Sequence, residues 1–248
     1  MGRSEMEHTR VDFRGLRYGA IRLGNFLNSH IEVSADAATQ QGIRTARTAL
    51  EDGGLIVLDA HRKFGDIIAT GIELSKHIDI TTFVAAVSAY DFQHWFVRRR
   101  FFRELGNIPG VELYPVFRDD DKNDPKRRRY YEKTHKNNIS DVANIRRYFR
   151  RSIETVNSPH HVLLVAAYNG VGRMEKKGLS KGAALLLKHG SPALCTLTMW
   201  SWRDRMYRVY VSDSLLRFSG ETDGTHMHDA ILARHRLLLG RSESYKPS

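Results

Sequence analysis

The sequence predicts an α/β fold: a single domain on a mostly parallel sheet flanked by helices on both faces. Two observations carry this expectation. Short apolar, β-branched segments alternate along the chain with longer segments of helical period, the order produced when parallel strands are joined by crossover helices. No linker, internal repeat or low-complexity tract interrupts that alternation.

The elements follow in order. Residues 1–10 read as a frayed tail. In 11–31, Phe13, Leu16, Ala20, Leu23 and Leu27 recur at steps of three and four, one apolar helical stripe with Arg14, Arg17 and Arg22 off it. Such a helix lies either in a membrane interface or against its own domain, and Gly15, Gly19 and Gly24 weaken it in both cases. Residues 1–34 are therefore set apart as a basic amphipathic segment, with the α/β domain over 35–248. A helix over 36–52 ends at Gly53 and Gly54, and "LIVLDA" (55–60) follows as a short buried strand. Helix is expected again over 65–78, strand over 81–89, helix over 92–105 and strand over 111–117. After the polar loop 118–129 comes a helix over 139–156 with Ser140 placed to cap it. Strand 160–167, helix 180–190, strands 192–200 and 205–213, and a last helix over 224–240 complete the chain.

Composition narrows the function classes. The 248 residues suffice for a sizeable core, and a hydrophobic fraction of 41% excludes a mostly disordered chain. The single cysteine, Cys195, lies in the apolar run "PALCTLTMW" and forms no internal disulfide, which fits a reducing compartment. The N-terminus is charged and lacks the apolar core of a signal peptide, and no window is apolar enough to span a bilayer. The 39 Lys and Arg against 28 Asp and Glu give +11, a surface suited to nucleic acid, anionic lipid, phosphorylated substrates or an acidic carrier protein.

The chemistry-bearing stretch is "LDAHRKFGDIIATG" (58–71), where a strand runs into a helix and His61 stands five positions before Asp66. In a parallel sheet, ligands bind at the carboxyl ends of the strands, so the pair falls at the expected rim. A histidine titrating near neutrality serves as a general base, and a carboxylate on its far nitrogen fixes the tautomer. No serine or cysteine nucleophile adjoins it, so the base would act directly on a substrate hydroxyl. The competing account makes Asp66 a helix cap and His61 a polar loop residue.

Over roughly residues 55–200 the order of blocks resembles the glycerophospholipid acyltransferases of the lysophosphatidate and glycerol-3-phosphate type, the family defined by H-x-x-x-x-D. "AHRKFGDI" is similar to the family's first block. "GVELYPVFR" resembles its strand ending in a phosphate-gripping arginine, here Arg118. "HVLLVAAYNGVGR" stands where the family has a strand followed by Pro-Glu-Gly-Thr-Arg: Gly170 matches, Asn169 replaces the glutamate, and the arginine comes late, as Arg173. "GLSKGAALLLKHGSPALCTLTMW" is similar to the family's lysine-glycine helix and the turn into its next buried strand. Ala60 departs from the Asn or Ser that commonly precedes the histidine.

The resemblance implies transfer of a fatty acyl group from a thioester, on CoA or acyl carrier protein, to a hydroxyl of a glycerol phosphate or lysophospholipid. His61 would be the general base and Asp66 its orienting carboxylate. Arg118 would hold the acceptor phosphate, and Asn169 and Gly170 would shape the same pocket. It implies no metal and no cofactor besides the thioester co-substrate, an anionic membrane surface as partner, and a location peripheral to a membrane's cytoplasmic face. The altered third block leaves open a catalytically weakened membrane-binding paralogue. "KRRRYY" and "IRRYFRRS" leave open a basic nucleic-acid-binding protein, although no nucleic-acid-binding consensus is present. His226 and His228 in "THMHDA" are spaced for a metal, but no third histidine closes the set, and a capped helix start accounts for them.

Overall fold

The structure, a computed structural model, describes residues 9–16, 30–60, 64–88, 96–116, 125, 128–129, 132, 140–165, 178–179, 181–201 and 205–244. Side chains are described for these except 64–67, 88, 96–99, 140–142 and 243–244. Seven strands are present among the described residues: β1 (Ile31–Val33), β2 (Leu55–Asp59), β3 (Thr82–Ser88), β4 (Val111–Val116), β5 (His161–Val165), β6 (Ala193–Ser201) and β7 (Met206–Val211). The α-helices with described bounds are α1 (Ala37–Asp52), α2 (Phe64–His77), α3 (Phe96–Gly106), α4 (Ser140–Val156), α5 (Lys181–Leu187) and α6 (Gly224–Ser244).

One sheet in the order β1-β7-β6-β2-β5-β3-β4 collects all seven strands. β2 through β6 run parallel to one another in it. β7 pairs antiparallel with β6, and β1 lies parallel to β7. The expected mostly parallel α/β domain is therefore present. β2, at the centre, has all five residues buried, as a strand covered on both faces must.

Strand alternation divides the core into two layers. Leu55 and Val57 of β2 point, with Phe83, Val162 and Leu194, toward α1, α2 and α3, which contribute Ile43, Ile72 and Phe101. Ile56 and Leu58 point the other way, with Leu163 and Cys195, toward α4, α5 and α6, which contribute Ile153, Leu186 and Ile231. The two edges of the sheet are protected by different means. β1 is three residues long, and β4 carries Pro115, which an edge strand tolerates because a ladder is needed on one side alone.

Most elements fall where the periodicity places them, and the departures have local causes. Residues 11–31 do not form one helix at their described ends. Phe13–Gly15 is a single 3₁₀ turn capped by Asp12, whose carboxylate accepts from the Arg14 amide at 2.9 Å, and Leu16 is already extended. Val11, Phe13 and Leu16 are buried in the α1–α3 layer, Phe13 edge-on to Phe83 at 5.5 Å. Residues 17–29 lie outside the described residues. Ile31 belongs to β1, held by the Glu73 carboxylate, which accepts from the Val33 amide at 3.0 Å. Ser140, expected as a cap, is the first residue of α4.

Candidate active site

The carboxyl ends of β2 to β6 lie along one edge of the sheet, because these five strands run in the same direction. Register aligns them: Leu58 stands beside Val165 on β5, Asp59 beside Thr196 on β6, and Ser88 of β3 beside Val116 of β4. Beyond β2 the chain is fixed as far as Ala60, whose amide donates to the Thr196 carbonyl at 3.0 Å and whose side chain is wholly buried.

Of the residues singled out in the sequence, His61, Arg118, Asn169 and Gly170 lie outside the described residues. Asp66 is the third residue of α2, and its side chain also lies outside the description. What is described is where the chain enters these positions. His61 comes two residues after the end of β2, Arg118 two after the end of β4, and Asn169 four after the end of β5. All three segments thus leave from the same edge, two of them from the adjacent strands β2 and β5.

Beneath this edge lies a buried polar group that the sequence reading passed over. Asp59, at 0% exposure, accepts through Oδ1 from the hydroxyls of Thr196 at 2.9 Å and Thr70 at 3.1 Å. Thr70 and Thr198 are bonded hydroxyl to hydroxyl at 2.7 Å. A buried carboxylate is tolerated only where donors replace water, and here α2 and β6 supply them. A carboxylate ending the apolar run "LIVLD" and threonines two apart in "LCTLTMW" were the available signal.

The other face of the same strand end holds His235 of α6, almost fully buried, with Nε2 3.0 Å from the Leu58 carbonyl. Burial pushes its pKa down to about 4, against the opposing influence of the Leu58 and Thr196 carbonyls, so the ring is neutral at pH 7. Cys195, between these groups on β6, is held as a thiol by burial, its pKa raised to about 12, and is no nucleophile there.

The opposite edge is different in kind. Its cavity, of about 330 Å³, is lined by Arg10, Arg47, Lys76, His77 and His160 together with Glu51 and Asp79. The cations are engaged internally: Arg10 pairs with Asp79, Lys76 with Glu73, and Arg47 donates to the His77 carbonyl at 2.7 Å. His226 and His228 lie in the first turn of α6, where the Asp223 carboxylate accepts from the amides of Thr225 and His226 at 2.7 and 3.0 Å. That is a helix cap. Among the described residues no cluster of three or more His, Cys, Asp or Glu is placed to hold a metal, and no helix is long and apolar enough to cross a membrane.

No family model matches this chain, and no curated protein matches it in sequence.

Proposed function

We propose that this chain is an acyltransferase that moves a fatty acyl group from a thioester, on CoA or acyl carrier protein, to a hydroxyl of a glycerol phosphate or lysophospholipid. One observation supports the reading most: the segments bearing His61, Arg118 and Asn169–Gly170 all leave the sheet at its carboxyl edge. The order of sequence blocks gives that convergence only if β2, β4 and β5 run in the same direction, as they do.

In this reading the acceptor hydroxyl gives its proton to the His61 imidazole as its oxygen attacks the thioester carbonyl carbon. The tetrahedral intermediate collapses by breaking the C–S bond, and the imidazolium returns the proton to the leaving thiolate. Asp66, in the first turn of α2, orients the imidazole and stabilises its cation. Arg118 pairs with the acceptor phosphate. β4 lies three strands from β2, about 14 Å at ordinary strand spacing, a distance that the acceptor and the Arg118 side chain would have to bridge together. Asn169 and Gly170, after the strand adjacent to β2, line the near side. The +11 surface favours CoA or an acidic carrier, the phosphorylated acceptor and the anionic cytoplasmic face of a membrane.

The test is an acyl-transfer assay with panels of thioester donors and phosphorylated acceptors. Wild-type protein should transfer, and His61→Ala should lower kcat about 10²–10⁴-fold with little change in KM. No transfer by the wild type, or equal rates for the variant, would defeat the proposal.

A further inference from the structure

We infer that Asp59 is a positioning residue for the His61–Asp66 pair, a clamp that fixes α2, at Thr70, against the end of β2. The inference rests on the acyltransferase reading for its consequence, but its geometry stands independently. Asp59 is the last residue of β2, two before His61. Thr70, which donates to its carboxylate, lies one helical turn after Asp66 in α2. Thr196, the second donor, is the residue beside Asp59 across the β2–β6 ladder, and the carbonyl of Thr196 holds the Ala60 amide.

A chain of donors therefore runs in one direction. The Thr70 and Thr196 hydroxyls both give their protons to Asp59 Oδ1, so the Thr198 hydroxyl must donate to Thr70. All four side chains are at 0% exposure. A fold that needed packing alone at this point would place leucine or valine there, as it does at Leu55 and Val57 on the same face. Instead a directional joint connects three elements, β2, β6 and α2, at the level where the chain passes into residues 61–63. General-base catalysis depends on placement to within a fraction of an ångström, and side-chain hydrogen bonds impose an orientation that apolar contact does not. The residues on either side of the His61 segment are thereby tied to one carboxylate.

Kinetics and hydrogen exchange test this together. Asp59→Ala should lower kcat by more than tenfold while KM for donor and acceptor stays within about twofold. Asp59→Asn, which keeps the accepting oxygen, should recover most of that loss. In a His61→Ala background, Asp59→Ala should cause no further decrease, because the lost placement is that of an absent base. Additive losses in the double variant, or Asp59→Asn as slow as Asp59→Ala, would overturn the assignment. If His61→Ala retains the wild-type rate, the acyltransferase reading fails instead, and the clamp is then judged by exchange in the free protein. Asp59→Ala, and to a smaller degree Thr70→Val, should speed amide exchange at 64–72 about tenfold or more and leave α6 and β7 unchanged. Unchanged exchange at 64–72, or an equal rise everywhere, would overturn it. Thr70→Val, isosteric and less disruptive, serves if Asp59→Ala does not fold.

Discussion

The two ends of the central strands meet their polar demands by opposite means. At the amino ends of β2, β3 and β5, backbone groups satisfy one another: the His160 amide donates to the Leu50 carbonyl at 2.9 Å, Thr81 to His160 at 2.9 Å, and Ile56 to Pro192 at 3.0 Å. The turn there is tight enough that a Cβ on Gly54 would lie 2.0 Å from the Thr155 carbonyl oxygen. At the carboxyl ends, side chains do the work: Asp59, Thr70, Thr196 and Thr198 on one face and His235 on the other. Backbone closure is indifferent to residue identity and is enough to hold a fold. Buried carboxylate and imidazole groups carry a desolvation cost, and at the carboxyl ends their directional bonds offset it by fixing orientation.

The contrast can be broken at either end. Gly54→Ala at the amino end should give the largest loss of stability, about 3–5 kcal/mol, because the obstructing atoms belong to the backbone of Thr155 and Val156 and cannot step aside. Any folded variant should keep near-normal kcat and KM; urea unfolding and steady-state kinetics on one preparation test both halves. At the carboxyl end, His235 makes stability depend on pH. Its pKa is about 4 in the folded protein and 6.5 is its ordinary value, so the unfolded chain binds the proton more tightly between these limits. Stability is full above about pH 6.5 and falls by about 3 kcal/mol on going to about pH 4. His235→Gln should flatten that limb in urea titrations taken at a series of pH values.

Two smaller effects sharpen the comparison. Glu73, buried on α2, accepts from the Val33 amide at 3.0 Å and is paired with Lys76 and His77. Burial alone would raise its pKa, but the bonds to His77 and Lys76 outweigh that and hold it below the ordinary carboxylate value. Glu73→Ala should cost about 2 kcal/mol and release β1, seen as faster exchange at Val33. Arg47→Ala, which removes an exposed side-chain cap on the His77 carbonyl, should cost only about 0.5–1 kcal/mol by thermal or urea unfolding.

The fold was largely readable because its information is local and periodic. "LIVLDA" and "TTFVAAVSA" are apolar runs of strand length, and 36–52 carries a helical stripe ending at glycine, so β2, β3 and α1 lie where they were expected. β1 was missed because three residues carry no period. Its identity comes from β7 and from Glu73, forty residues downstream of Val33. The antiparallel direction of β7 is likewise set by its pairing with β6 and not by any residue within it. At the candidate site, H-x-x-x-x-D was visible because spacing is a sequence property. The Asp59 joint was not, because its donors come from positions 70 and 196, and partners so far apart meet only in the folded sheet. Asp59 and Thr196 each looked like a lapse in an apolar strand, and together they form a single joint.

The proposed chemistry belongs to the carboxyl edge of the sheet, and the amino edge is scaffold. The most direct measurement is amide exchange by mass spectrometry with and without a non-hydrolysable acyl-CoA analogue and glycerol 3-phosphate. Protection is expected in peptides covering 60–70, 113–118 and 165–170, with no change in the turns at 53–54, 157–160 and 189–192. Protection confined to those turns, or absent from all three carboxyl-edge peptides at saturating ligand, would contradict the account.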